Sequence, residues 1–564
     1  MSRYRTPSRR RVLRGLGGIG AGAALAGTGA WWYAARGGPA AEARVPTGAG
    51  APLQDLPEIR SSGGVLEHTL TVAAARPVVG GRRLHLDTYN GQIPGELLRF
   101  APGDRVRILL RNRMVPTGVP PDALPPLCAE TWQDGSAHSG HGAADEALNC
   151  VPEAAHALAA GEGIVQQAVA TNLHTHGLQV SPEGHADNVF VRIDPGEEWQ
   201  YGYDIPADQP GGLHWYHPHH HGSTTHQAWS GLAGPMVVEG EIDQVPEIAA
   251  MRERVVVISM LRIDARGENP VAVVLPTGGD NPFTTVPAVP TTMLPLLNGQ
   301  LRPVAAIRPG EVQRWRVLNA APHRSMWLHI QGHLLYQIGQ DGIPFAEPRP
   351  VPGIMLASAN RAEFIVRGGE PGRYRIYARG YDQGHPGGER PDLELGTLHV
   401  TGARSAGRIP TRLVEPPRMP DLPVARRRTL VFSGDISGRE GLGVRFPIDG
   451  RLFDPDRIDQ EVQAGTVEEW RIVNEDVFQH PVHLHVNPFQ VIDVKGIPPG
   501  DTSWQTDPAI WWDTFRLPPN GEFTLRTFFR PDITGKTVFH CHILPHEDNG
   551  MMGTLLIAPP GGPA

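Results

Sequence analysis

Asn298-Gly299-Gln300, then Pro309-Gly310-Glu311, then Trp315-Arg316-Val317-Leu318-Asn319 make a short apolar run fenced by turn residues. The same order occurs earlier as Asn90-Gly91-Gln92, Pro102-Gly103-Asp104 and Arg105-Val106-Arg107-Ile108-Leu109-Leu110, ending at Asn112. It returns as Asp449-Gly450-Arg451, Ala464-Gly465-Thr466 and Trp470-Arg471-Ile472-Val473-Asn474. In all three copies the second Gly precedes the Asn by nine residues. The copies also close alike, at Gly231-Leu232-Ala233-Gly234-Pro235-Met236-Val237-Val238, Leu395-Gly396-Thr397-Leu398-His399-Val400 and Gly550-Met551-Met552-Gly553-Thr554-Leu555-Leu556-Ile557. Self-similarity at this spacing marks a tandem array. Short β-branched runs between Gly and Pro turns, with apolar residues alternating, read as antiparallel β-sandwiches. The fold class expected is all-β, in three tandem sandwiches.

Composition agrees. The 564 residues suit three or four domains. With 67 Gly and 56 Pro the chain is too turn-rich for a helical bundle, while 40% hydrophobic residues suffice for real cores. Beyond residue 43 there are 44 Lys+Arg against 58 Asp+Glu, a net charge of −14. That balance disfavours nucleic acid or an anionic membrane as partner. His is abundant at 25 and Cys scarce at 3, which excludes a disulfide scaffold and points to imidazole metal chemistry.

Residues 1–43 read as an address. Ser8-Arg9-Arg10-Arg11-Val12-Leu13-Arg14 is similar to a twin-arginine export motif; an apolar run follows from Gly15 to Ala35, and Ala41-Glu42-Ala43 offers a small-x-small cleavage site. The expectation is export by the twin-arginine machinery, as a folded protein, to the periplasm or exterior. An uncleaved signal would instead leave an N-terminal anchor. The remaining domains are expected at 60–242 (with an insert at 115–170), 250–404 and 424–560, joined by Pro-rich linkers near 240–250 and 410–424.

The histidines cluster in the first and third copies: His174-Thr175-His176-Gly177, His217-Pro218-His219, His480-Pro481-Val482-His483-Leu484-His485, and His540-Cys541-His542 followed by His546 and Met551. A His-x-His pair on a strand puts both rings on one face. Two such pairs in each outer copy make a set of eight imidazoles that forms only if those domains meet. The middle copy has Tyr377-Ala378-Arg379 at the equivalent place and reads as a metal-free spacer. Aligned closing strands put Pro218 opposite Cys541, so the soft ligand exists only in the third copy. Cys541, His480, His546 and Met551 have the composition of a blue-copper electron-transfer site. Spacing separates Met551 only weakly from Met552. His214, His220, His221 and His226 lack a partner pattern and read as supporting or surface residues.

These clusters resemble those of the three-domain multicopper oxidases, the laccase-like branch with cupredoxin domains. The motif from His540 to Met551 carries the likeness most specifically, and it extends over nearly the whole mature chain. The resemblance implies three tandem cupredoxin-like Greek-key β-sandwiches and four copper ions. His480, Cys541, His546 and Met551 would then bind one type 1 copper. His174 and His483 would bind one type 2 copper. His176, His217, His219, His485, His540 and His542 would bind two type 3 coppers. It further implies proton delivery by Asp187 and Glu547 during four-electron reduction of dioxygen to water.

Small aromatic reductants, phenols or aromatic amines, are the donors the resemblance favours, oxidised near an exposed edge of His480 with Trp504, Trp511 and Trp512 candidates to line the surface. A cuprous oxidase of copper tolerance is the alternative; the 11 Met are scattered, without a Met-rich insert. A non-catalytic scaffold is disfavoured by the complete ligand set, and a two-domain nitrite reductase by the three repeats. The insert holds Cys128, Cys150, His138 and His141. Its cysteines would pair in an oxidising compartment, or, with the histidines, form an extra copper site, although no tight ligand spacing is present. Oligomeric state is not legible.

Overall fold

The computed structural model describes residues 50–84, 86–114, 169–264, 291–384, 389–434 and 445–561. The export signal and almost all of the insert, with Cys128, Cys150, His138 and His141, lie outside them. Among the described residues no helix is long and apolar enough to cross a membrane.

Among the described residues six large sheets form three pairs, with 5 and 4 strands in the first unit, 6 and 5 in the middle unit, and 5 and 5 in the third. Each pair encloses one apolar core. The first is built around Leu70, Phe100, Ile108 and Tyr201, the second around Trp315, Leu328 and Phe364, the third around Phe432, Trp470, Phe489 and Phe523. The repeat is visible in the strand pairing. Arg105–Arg113, Val312–Asn319 and Thr466–Asn474 each run parallel to a long strand near the start of their unit, Val65–Ala75, Arg252–Asp264 and Val424–Phe432 respectively. The closing strands Gly234–Val238, Leu393–Val400 and Met552–Ala558 each pair in parallel with Leu97–Phe100, Val304–Ile307 and Gln460–Gln463.

The repeated residues have the same work in every copy. Asn90, Asn298 and Asp449 adopt φ of 50°, 49° and 51°, each followed by a Gly at positive φ, a turn geometry that Asn and Asp tolerate best. Their side-chain oxygens accept the N–H of Thr71, Val257 and Val431, locking the turn to that long strand. Asn112, Asn319 and Asn474 are buried at 0%, 0% and 3% exposure. Each receives an N–H two residues on, from Met114, Ala321 and Asp476, and donates its amide to carbonyls of crossing loops. Asn319 alone serves Arg324, Leu356 and Ala357 at 2.8–3.0 Å. Replacing it by Leu strands these groups in the core, and should lower the unfolding free energy of metal-free protein by about 2–4 kcal/mol. Denaturant titration checks this; a loss within about 0.5 kcal/mol, the ordinary surface value, would mean the amide is not the clamp.

The stretch near 240–250, expected as a bare linker, contains two short helical turns, Glu241–Gln244 and Pro246–Ala249. Asp243 lies in the first, where it accepts bonds from Arg314 and Arg316 of the middle unit. Arg316, fully buried, also meets Glu253 and Glu363 at 2.7 Å. The segment is thus fastened by charge to the unit it leads into.

Candidate metal centre

One strand serves two sites. In Gly535–Cys541 successive side chains alternate, so Cys541 points into the core of the third unit while His540 faces the first. Cys541 Sγ lies 3.5 Å from His480 Nδ1 and 3.8 Å from His546 Nδ1, and the two nitrogens are 3.2 Å apart. A triangle of such edges has its centre about 2 Å from each corner, the length of an imidazole or thiolate bond to a first-row metal. All three residues have 0% exposure. Burial pushes the Cys541 thiol well above its usual range, so a cation must displace a proton to bind there. Phe446 stacks on His546 at 3.9 Å. Met551 belongs to the same core as Cys541, whereas Met552 packs with Val189 and Val538 elsewhere. Both are buried, and the core each one packs into separates the two methionines that spacing separated only weakly.

The eight imidazoles of the His-x-His pairs do meet, at the junction of the first and third units. His174–His176 pairs antiparallel with Gly212–His217, and His480–Leu484 with the strand carrying His540. Nε2 atoms of His219, His485 and His540 lie 3.1–3.2 Å from one another. Three ring nitrogens cannot converge so closely as three N–H groups; a shared cation satisfies them. Nearby, Nε2 of His174, His217, His483 and His542 and Nδ1 of His176 are buried with no hydrogen-bond partner among the described residues. His174, His176 and His217 form one potential ligand group, and His174, His483 and His485 another.

In most of these rings the opposite nitrogen has a partner, which favours one tautomer, whereas Nδ1 of His219 and His485 has no hydrogen bond among the described residues. Nδ1–H of His217 donates to Pro218 O at 2.9 Å, that of His483 to Asp513 O at 2.8 Å, and that of His540 to Cys541 O at 3.1 Å. His174 Nδ1 lies 2.8 Å from Asp187 Oδ2, and His542 Nδ1 3.4 Å from Ser358 Oγ. Burial lowers the pKa of all eight of these rings, His217 to about 3, His483 to about 4 and the others well below the usual range, with repulsion between neighbouring rings adding to it in most of them. Neutral rings have lone pairs to give.

Two carboxyl groups flank the cluster. Asp187 accepts N–H and Oγ–H from Thr175, and burial raises it to about 7. Glu547 follows His546, with Oε1 3.8 Å from His219 Nδ1 and Oε2 3.4 Å from His540 Nδ1. Burial first, and then Asp548, push it well above the usual carboxylate range.

The other histidines stay outside these groups. His221 packs at a tilt against Phe453, His226 faces Asp87 at 3.9 Å, His220 meets Ser223, and His214 sits buried near Gly177, Asp341 and Asp513. Two expectations are corrected. His480 has no exposed edge, being at 0% exposure; the nearest exposed large apolar side chain in the chain is Val477 at 54%, in the bend before the strand. Trp511 and Trp512 are core residues at 6% and 5% exposure, and Trp504 alone of the three is partly open, bonded to Asp501 and stacked under Arg516. Asp513, Arg361 and Ser358 belong to the surroundings of the cluster and carry no motif that would have revealed them.

Comparison with known proteins agrees with this geometry. Three family models, each of multicopper oxidase, match residues 166–242, 268–403 and 420–561. The chain is 27% identical to a laccase of Bacillus subtilis over 70% of its length and 80% of that protein. It is 26% identical to the cell division protein FtsP of Photorhabdus laumondii, covering 68% of this chain and 77% of the other. Among solved structures, a multicopper oxidase of Campylobacter jejuni described as a metallo-oxidase aligns with TM-score 0.67 at 24% identity, over 90% of this chain and 96% of that one. The chain belongs to the multicopper oxidase family. It is an oxidoreductase that uses copper to couple oxidation of a reducing substrate to reduction of dioxygen.

Proposed function

We propose that this chain is a laccase-like oxidase that takes single electrons from phenols or aromatic amines and reduces dioxygen to water with four coppers. The observation that carries it is the convergence of buried ring nitrogens, with the opposite nitrogen of His217 and of His483 anchored on a backbone carbonyl. His480, Cys541, His546 and Met551 would hold the type 1 ion, and His174 and His483 the type 2 ion. His176, His217, His219, His485, His540 and His542 would hold the type 3 pair. Copper bound there supplies one-electron acceptance and concerted delivery to dioxygen. The protein supplies the rest. Cys541 is bonded through the backbone to His540 and His542, so a short covalent path joins the two sites. Asp187 and Glu547 hold protons beside the rings. Export of the folded chain by the twin-arginine machinery to the periplasm or exterior completes the proposal; it is motivated by Arg9-Arg10 and the apolar run after them.

Oxygen uptake by copper-loaded protein with a methoxyphenol, and separately with cuprous ion, tests the donor. Fast uptake with the phenol and slow uptake with Cu(I) is expected. The described methionines do not gather at the surface, and only Met293 among them appears with the exposed large apolar residues. The reverse preference would make the chain a cuprous oxidase. No uptake with either, from protein shown to hold copper, would leave it a scaffold.

A further inference from the structure

The middle unit holds none of the clustered histidines, yet it reaches them. Arg361 opens the strand Arg361–Arg367 of that unit and is fully buried. Its guanidinium forks onto Asp513 of the third unit, Nη1 donating to Oδ1 at 2.8 Å and Nη2 to Oδ2 at 2.5 Å. Nε donates to Leu213 O of the first unit at 3.1 Å. All three units therefore meet at one side chain. A Cβ at Gly177, the residue after His176, would lie 2.4 Å from Arg361 Nη2, so glycine is what lets the arginine approach.

Asp513 in turn governs two rings. Its Oδ1 lies 3.1 Å from His176 Nε2, and its backbone carbonyl accepts His483 Nδ1–H at 2.8 Å. With Nε2 turned to Asp513, His176 presents Nδ1 to the cluster, the reverse of His174, His217, His483 and His542. The strand order gives no reason for that inversion; the carboxylate does. A planar fork that fixes both carboxylate oxygens leaves Asp513 one orientation, which a point cation would not.

We propose that Arg361 is a positioning residue for the metal cluster: by pinning Asp513 it holds His176 with Nδ1, and His483 with Nε2, toward the bound ions. This rests on the copper reading above. The role is indirect, since Arg361 touches no ring, and it makes the metal-free unit part of the metal site.

The test loads wild type, Arg361→Met, Arg361→Lys and the double variant Arg361→Met with Asp513→Asn with copper. It measures copper per chain, the blue thiolate band, and the near-ultraviolet band and magnetic silence of the paired ions. Arg361→Met is expected to keep the blue band while cluster affinity falls about 10–100-fold, the usual effect of losing a ligand's outer partner. Arg361→Lys should recover part of it. The double variant removes the forked carboxylate together with the arginine, leaving only Asp341, 3.6 Å from the guanidinium, without its cation, and should stay as deficient as the single one. Full cluster copper in Arg361→Met would overturn the inference. So would recovery in the double variant, which would trace the defect to an unpaired carboxylate. Joint loss of the blue band and the cluster would also overturn it, marking the arginine as mortar between units. Wild type that holds blue copper but no cluster would overturn the copper reading and this inference with it.

Discussion

Cys541→Ser is expected to abolish the blue colour, remove one copper per chain, and lower oxidation of any reductant by at least about a hundredfold, while the histidine cluster still loads. The magnitude follows from ligation: loss of an outer partner already costs about 10–100-fold, and the thiolate is itself a donor. Serine offers a hard, short, poorly ionised oxygen where the site needs a soft thiolate. The surroundings cannot compensate, since Ile543 N–H already faces Sγ at 3.4 Å and the backbone N–H of Cys541 is taken by Met551 O at 3.0 Å. The defect stays local because strand alternation separates the faces. Sγ lies in the third-unit core with Phe446 and Met551, and His540 lies at the junction with His219. Elemental copper, visible absorption and oxygen uptake measured on one preparation check all three. Unchanged oxygen uptake in colourless protein would mean that electrons reach the cluster without Cys541.

How much of this was legible beforehand follows from what each residue does. The three copies could be read because their Asn residues act on the backbone of their own unit. Asn112, Asn319 and Asn474 clamp local loops, so the signature stays at one spacing in the chain. The histidines could be read because a His-x-His pair on a strand is a local motif that places two donors together. Arg361 and Asp513 could not, because their pairing spans 152 residues and neither lies in a pattern. The same blindness made the middle unit a spacer, although Ser358 meets His542, Asn360 donates to Thr514 O, and Arg361 holds Asp513. Burial was equally hidden. Trp511 looked available for a surface, but its Nε1–H is spent on Pro417 O and its ring is covered. The closure of His480 depends on packing that no spacing encodes.

Glu547→Gln is expected to lower the turnover number about a hundredfold, the lower end of what a positioned general acid supplies. The KM for the reductant and the blue band should not change. Reduction of dioxygen to water consumes four electrons and four protons, and the proposed path through Cys541 would carry electrons alone. Glu547 is where a proton can wait: it is fully buried, burial keeps it protonated far above the usual carboxylate range, and its oxygens face His219 and His540. Its neighbour Asp548 takes N–H bonds from Gly222 and Thr225 at 2.7 and 2.8 Å, tying this acidic pair to the first unit. Glutamine keeps the shape and removes the acidic proton, so the loss should appear in reoxidation by dioxygen and not in anaerobic reduction of the blue ion. Glu547→Asp should restore part of the rate. Asp187→Asn provides the contrast. Asp187 also orients His174 at 2.8 Å, so its replacement should cost copper as well as turnover. Stopped-flow measurement of the two half-reactions separates the cases. A Glu547→Gln enzyme that reoxidises at the wild-type rate would remove Glu547 from proton delivery and leave Asp187 as the acid to examine.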